Sequence, residues 1–290
     1  MADLVHGWDK RSVSDPALYV LRYDADHDAL ARRVRTQLTT GPGFAVVTGV
    51  PVHALPTEQV RDTALAMMRP LGRPLPQGTG SDEALAWLVR DEGVSAHTDE
   101  RRFSESAYTS KSRGYLHLHN DAAVSPFGHE PDYVSLLVHR TARTGGATVL
   151  VDALTVHRVL AHDHPHHLAL LHTPFAFDRR HVAPPGRPPV VWGPPFAHRD
   201  GHLRARCNTV RMRGAYDLLD EPLPADRGAA IDALEAVLHR PELALTLELA
   251  EGDCLIVDDH RILHGRTAYE DPEDDPARRR CLVRVMAQAA

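Results

Sequence analysis

The chain has 290 residues, 43% of them hydrophobic, with 20 histidines and a formal net charge of −6 at pH 7. That length fits one large domain or two small ones, and the apolar share is ample for a core that encloses a dry cavity. No run approaches the roughly 20 apolar residues of a membrane-spanning helix, the first ten residues show no basic region followed by an apolar one, and no long basic run suggests nucleic acid as a partner. A cytoplasmic protein acting on small molecules is expected. Cys207, Cys254 and Cys281 are odd in number and far apart, which fits reduced thiols rather than a disulfide framework.

In chain order, Leu30, Val34 and Leu38 recur at helical spacing, and Phe44 to Val50 is a short β-branched run set between Gly-Pro-Gly and Pro51, hence a buried strand. Val60, Ala64, Met67 and Met68 predict a second helix with Thr57 as its N-cap. From 75 to 113 the pattern is irregular and polar, ending in a serine-rich stretch that includes Glu105, Ser106, Tyr108 and Ser110; a loop of that length is commonly a lid or binding loop. Strand-like runs follow at Gly114 to His119, Tyr133 to His139 and Ala147 to Val151. A proline-rich middle, Pro184-Pro185 to Pro194-Pro195, excludes a continuous helix there and reads as part of an insertion over about 155–240. Ala229 to Leu238 is helical in spacing. Strands return at Leu243 to Leu249, Cys254 to Val257 and Arg280 to Met286. The whole predicts a single domain over 1–290, mainly β with peripheral helices: a sandwich or jelly roll.

His119-Asn120-Asp121 closes the Gly114 to His119 run. In an extended strand, residues two apart share a face, so His119 and Asp121 can converge on one point while Asn120 turns away. With His264 as a third donor, two histidines and a carboxylate can cover one face of an octahedral iron and leave the other open to a cosubstrate and O₂. His97-Thr98-Asp99 is a rival pair, as is His162-Asp163-His164. The second, together with His166 and His167, reads as a solvated helix end. His97 sits in polar, strand-poor sequence and lies 51 residues before Thr148, against 29 for His119.

The company of His119 raises it above these rivals. Gly145-Gly146-Ala147-Thr148 leads into Val149-Leu150-Val151-Asp152; then come Gly252-Asp253-Cys254-Leu255-Ile256-Val257-Asp258, Leu263-His264-Gly265-Arg266, and Arg280-Cys281-Leu282-Val283-Arg284. This ordered set resembles the taurine dioxygenase and clavaminate synthase-like family of iron(II)- and 2-oxoglutarate-dependent oxygenases, over roughly Phe44 to Met286. The resemblance implies a double-stranded β-helix of the cupin-like, jelly-roll kind. It implies His119, Asp121 and His264 as iron ligands and Thr148 with Arg280 as the grip on the far carboxylate of 2-oxoglutarate. It also implies Arg284 as an arginine turned towards the substrate. The family uses only one histidine on this strand, so His117, which shares a strand face with His119, reads as a group supporting the ligands. O₂ is the second cosubstrate.

Halogenating relatives replace the carboxylate ligand with a small residue; Asp121 is retained here, so hydroxylation is implied, with desaturation open on the same iron. The expected substrate is small and anionic or zwitterionic, an amino acid or a biosynthetic intermediate derived from one. A non-enzymatic metal- or small-molecule-binding jelly roll is the alternative from another class, and it gives no reason for a 2-oxoglutarate grip. Zinc-dependent hydrolysis lacks an evident general base.

Overall fold

The computed structural model describes residues 4–78, 83–92, 112–126, 129–180, 183, 186–272 and 275–289. In chain order the strands are β1 (Val20–Arg22), β2 (Phe44–Thr48), β3 (Gly72–Leu75), β4 (Ala86–Val89), β5 (Leu116–His119), β6 (Tyr133–Arg140), β7 (Thr144–Gly145) and β8 (Thr148–Asp152). They continue with β9 (Phe175–Asp178), β10 (Val190–Gly193), β11 (Phe196–Arg199), β12 (His202–Ala205), β13 (Leu245–Leu247), β14 (Cys254–Asp258), β15 (Ile262–Arg266), β16 (Tyr269–Glu270) and β17 (Cys281–Ala289). The helices are α1 (His27–Thr39), α2 (Thr57–Met68), α3 (Ala153–Asp163), α4 (Pro165–Leu171), α5 (Thr209–Leu219) and α6 (Ala225–Leu238).

Two sheets face each other in a jelly roll. The larger runs β1-β2-β14-β6-β17-β3, with β4 also paired to β17, and the smaller runs β13-β8-β15-β5. Only the β1–β2 pairing is parallel among these. Strand periodicity explains how one sequence serves both sides of the larger sheet. In β14, Cys254 and Ile256 join the core beneath α1 and α2, while Leu255 and Val257 join the core between the sheets. With both faces covered, the strand reads as an unbroken apolar run. In β17, Val283, Val285 and Ala287 face the same two helices. The intervening positions, Leu282, Arg284 and Met286, therefore face the other sheet, and Arg284 is the one charge among them.

The smaller sheet is covered on its outer side by the chain between β8 and β13. Leu118, Val151 and Leu263 of the sheet share a core with Val156 and Leu160 of α3, Leu168 and Leu171 of α4, and Ile231, Leu234 and Val237 of α6. The proline-rich part of this excursion forms two hairpins, β9 with β10 and β11 with β12.

Several elements differ from their expected form. Thr57 is already the first residue of α2; Pro56 occupies the cap position, and no side chain caps the helix. The threonine hydroxyl is thus one residue too late to accept from the first free amides. Within 75–113, Ala86–Val89 is a strand with Trp87 and Val89 buried; the apolar run it belongs to, Ala84 to Val89, is short and does not alternate with polar residues, so it gave no strand period to read. Helix α5 was not anticipated, because Arg211 and Arg213 interrupt its apolar pattern. His97, Asp99, Glu105, Ser106, Tyr108 and Ser110 lie outside the described residues, as does most of the expected active-site loop. No helix among the described residues is long and apolar enough to cross a membrane.

Candidate active site

β5 and β15 pair so that His119 and His264 stand directly opposite each other, with ring centroids 4.5 Å apart. β5 ends at His119. Asp121 is not in extended chain as expected but opens a 3-10 turn, Asp121–Val124, which swings its carboxylate back towards both rings. His264 Nε2 lies 3.7 Å from Asp121 Oδ2, and one donor atom from each of the three residues lies within 4.8 Å of the others. Among the described residues, these three form the one group of histidine, cysteine and acidic side chains close enough to share a metal.

Asn120, between the ligands, is 1% exposed and points away from them. Its amide nitrogen donates to the carbonyls of Asp259 (2.5 Å) and Ile262 (3.2 Å), and its amide oxygen accepts from Cys207 N–H (3.0 Å). The asparagine thereby fastens the His-x-Asp turn to the β14–β15 connection and to the segment leading into α5. Asp259, fully buried, accepts from the Asp121 backbone N–H at 3.1 Å.

These contacts also set the proton inventory. His119 Nδ1 lies 2.8 Å from the His117 carbonyl; donating there leaves Nε2 with its lone pair turned to the cluster. The expected help from His117 thus comes through its backbone, while its ring packs edge-on against Tyr115. Burial and the neighbouring His119 hold His264 down to about 3. Burial likewise lowers His119, although Asp121 partly opposes it. Burial works to raise Asp121, but Arg284 and the two imidazoles outweigh it and keep the carboxylate ionised. Two neutral imidazoles and one carboxylate are the protonation states that bind a divalent metal.

Asp121 Oδ1 accepts from Arg284 Nη1 at 2.8 Å, whereas Oδ2 is buried and has no hydrogen-bond partner. An ionised oxygen left bare in the interior is costly unless a cation meets it. The mixed nitrogen and oxygen donor set, three ligands on one side, fits iron(II) with open positions.

A two-residue step along β15 from His264 leads to Arg266, which pairs across the ladder with Thr148. Thr148 and Arg280 line a common cavity of about 190 Å³ with Gly146, Leu249 and Leu282. The Gly-Gly turn makes room for them. Gly145 and Gly146 both have positive φ, +74° and +80°, and a Cβ on Gly145 would come within 2.3 Å of the Ala268 carbonyl. Arg280 is 5% exposed, stacks 4.9 Å above the Tyr269 ring and leaves Nη1 without a partner. Arg266 stacks on the same ring at 4.6 Å, and its Nε and Nη1 also lack partners. Burial and the nearby Arg280 bring Arg266 down to about 10, so it stays charged. Two guanidinium groups and a threonine hydroxyl fit the far carboxylate of 2-oxoglutarate.

Arg284 faces a second cavity of about 190 Å³ lined also by His119, Asp121, Trp87, Arg179 and Arg211. Its Nε donates to Gln77 Oε1 at 2.7 Å. The sequence reading missed Arg266, Tyr269, Arg179, Arg211 and Asp259. Arg266 was accessible to it, since a residue two beyond His264 on a strand must share the ligand's face.

The family model for the taurine catabolism dioxygenase TauD, TfdA family matches residues 18–286. The chain belongs to this family. This is the family that the ordered motifs implied; the chain spans 66% of the length of one curated relative it matches and 52% of another. It is 29% identical over 240 residues to the FR-33289 synthase of Streptomyces rubellomurinus (strain ATCC 31215), a match covering 82% of this chain and 66% of the synthase. It is 28% identical over 251 residues to a uridine-5'-phosphate dioxygenase of a Streptomyces species, covering 84% and 85% of the two chains. Among solved structures it is similar to asparagine oxygenase in complex with Fe(II), 2S,3S-3-hydroxyasparagine and succinate, with a TM-score of 0.66, 19% identity and 93% of each chain covered. The non-heme iron oxygenase OrfP with Fe and alpha-ketoglutaric acid gives a TM-score of 0.61 at 19% identity, covering 96% of this chain and 86% of OrfP.

Proposed function

We propose that this oxygenase hydroxylates an unactivated C–H bond of a small polar molecule, an amino acid or an intermediate derived from one, within a single domain spanning 1–290. His119, Asp121 and His264 hold the iron; Thr148 and Arg280 hold 2-oxoglutarate; Arg284 meets the substrate. The observation that carries this reading is the bare, buried Asp121 Oδ2 beside two imidazoles kept neutral. Similarity to an asparagine oxygenase and to an oxygenase solved with hydroxy-L-Arg supports an amino-acid-like substrate. The uridine-5'-phosphate dioxygenase supports an anionic one.

Iron(II) with 2-oxoglutarate and O₂ supplies the oxidising power for C–H hydroxylation. The chain supplies position and a protected interior. Arg284 bonds to Asp121 Oδ1 and so aims Oδ2 at the metal position. Asn120 and Asp259 hold the turn that carries Asp121, and the His117 carbonyl fixes the tautomer of His119. Arg280, flat against Tyr269, presents its remaining donor to a carboxylate entering past the Gly-Gly turn. Leu150, opposite His264 on the ladder, and Ile262, one two-residue strand step before it on the same face, are fully buried in the core between the sheets and keep that side of the histidine apolar.

The test is succinate release from 2-oxoglutarate by anaerobically iron-loaded protein after O₂ is admitted, across a panel of amino acids and related small acids. Substrate-stimulated turnover lost in Asp121→Ala is expected. Failure of the wild-type protein to bind iron or 2-oxoglutarate would sink the reading.

A further inference from the structure

Two of the three candidate ligands share a buried neighbour. Asp259 lies in the turn between β14 and β15 and is fully buried. Its Oδ1 accepts from the Asp121 backbone N–H at 3.1 Å and stands 4.0 Å from His264 Nδ1. The backbone of Asp259 is fixed on both sides of its side chain: its N–H donates to the Asp132 carbonyl at 2.9 Å, and its carbonyl accepts from Asn120 Nδ2 at 2.5 Å. The His264 ring is turned so that Nε2 faces the Asp121 carboxylate, 3.7 Å from Oδ2, which leaves Nδ1 on the Asp259 side. That Nδ1 is buried and has no hydrogen-bond partner among the described residues. His119 is served differently, since its Nδ1 lies 2.8 Å from the neutral His117 carbonyl. The two imidazoles of the cluster therefore have unlike groups behind them, one a peptide carbonyl and the other a carboxylate.

We propose that Asp259 is a positioning residue: it accepts the Nδ1–H of His264 and, through that ring, sets how strongly His264 donates to the metal. The inference rests on the function proposed above, in which His264 is an iron ligand. A neutral imidazole carries one ring proton, so a ring that offers Nε2 to a cation holds its proton on Nδ1. Leaving such a donor unmatched in the interior is costly. The Asp259 oxygen is within reach of it, because an approach of about 1 Å from the observed separation gives a hydrogen bond of ordinary length. Ligating histidines commonly pass their second ring N–H to a carboxylate or a carbonyl, which fixes the tautomer and strengthens the ring as a donor. A carboxylate does so more strongly, since the bond is then charge-assisted. His264 is thus the stronger of the two nitrogen donors, and a single oxygen ties its orientation to that of Asp121. An asparagine at 259 would keep an oxygen for the Asp121 N–H and lose the charge behind His264.

The experiment uses the full-length chain. Iron(II) affinity is measured anaerobically by competition with a chromogenic chelator. The His264 ring is observed by nitrogen-15 NMR of histidine-labelled protein loaded with zinc(II), a diamagnetic stand-in for iron(II), and its signals are identified by their absence in His264→Gln. In the wild-type protein the ring is expected to carry its proton on Nδ1, shifted to low field and protected from solvent exchange. Asp259→Asn is expected to move that proton to higher field and to weaken iron(II) binding about tenfold, the lower end of the loss usual for groups that support a ligand. The His119 ring proton, which rests on the His117 carbonyl, should not move. Either an unchanged iron(II) affinity or an unmoved His264 resonance in Asp259→Asn overturns the inference, because a residue that only anchors the Asp121 turn predicts both. A wild-type His264 ring protonated on Nε2 overturns it as well, and that reading needs no variant to fold. Failure of the wild-type chain to bind iron(II) overturns the proposed function and this inference with it.

Discussion

Asn120 occupies the middle of the His-x-Asp step, where its side chain can do nothing for the metal directly. Its three side-chain hydrogen bonds nevertheless reach two other parts of the chain. Asn120→Ala leaves those buried partners unsatisfied and should destabilise the fold by about 3 kcal/mol, measurable by urea unfolding. Iron affinity should fall with it, because Asp121 loses its anchor. Arg280 makes a sharper contrast, since its side chain faces a cavity. Arg280→Gln is expected to weaken 2-oxoglutarate binding on the order of 10- to 100-fold with little change in unfolding free energy, read from the cosubstrate dependence of succinate release. Much of this was legible in the sequence. The His-x-Asp step, the Gly-Gly-x-Thr turn and the Arg-x-Leu-x-Arg strand each carry a local signature. Arg179 and Arg211 carry none, because an isolated arginine in an irregular segment looks like any solvated one until the chain is folded.

Elements were read best where burial is one-sided or complete. β2, β14 and β17 stood out as apolar runs because both their faces are covered. α5 escaped because it buries arginines along with apolar residues: Arg211 is 6% exposed and lies beside Met212 and Ala215. The junction of β8 and α3 shows how a polar pair can fix such elements. Asp152, fully buried, caps α3 through Leu154 N–H and Thr155 N–H and accepts from Arg261 Nε and Nη2 at 3.0 and 2.8 Å. Arg261 also binds the carbonyls of Leu4 and Gly41. Burial pushes the Asp152 carboxyl up even against this guanidinium, so the pair is valued for what it holds in place more than for its own attraction. Asp152→Ala would strand Arg261 in the interior and should cost about 3–5 kcal/mol, seen as an earlier midpoint in thermal or denaturant unfolding.

Across the whole molecule, acid is expected to act through histidines kept neutral by folding. His157, packed against His172, His198 and Phe196, is held down to about 4 by burial and by those two imidazoles. Below the ordinary histidine range the unfolded chain takes up a proton that the folded chain refuses, so stability falls as pH drops from about 6.5 towards 4. His157→Phe removes that titration and should flatten the decline in Tm over the same interval, as followed by circular dichroism. The excursion between β8 and β13 has a further consequence. The sheets present the groups suited to metal and cosubstrate, while Arg179 and Arg211 are carried by a segment that leaves one strand of the smaller sheet and returns to its neighbour. The same segment also carries Cys207, whose N–H holds Asn120 and with it the turn that bears Asp121. Exchanging residues 153–244 for those of a relative would therefore alter the cavity wall and loosen the ligand turn together, so this excursion is a strut of the centre as well as its cover.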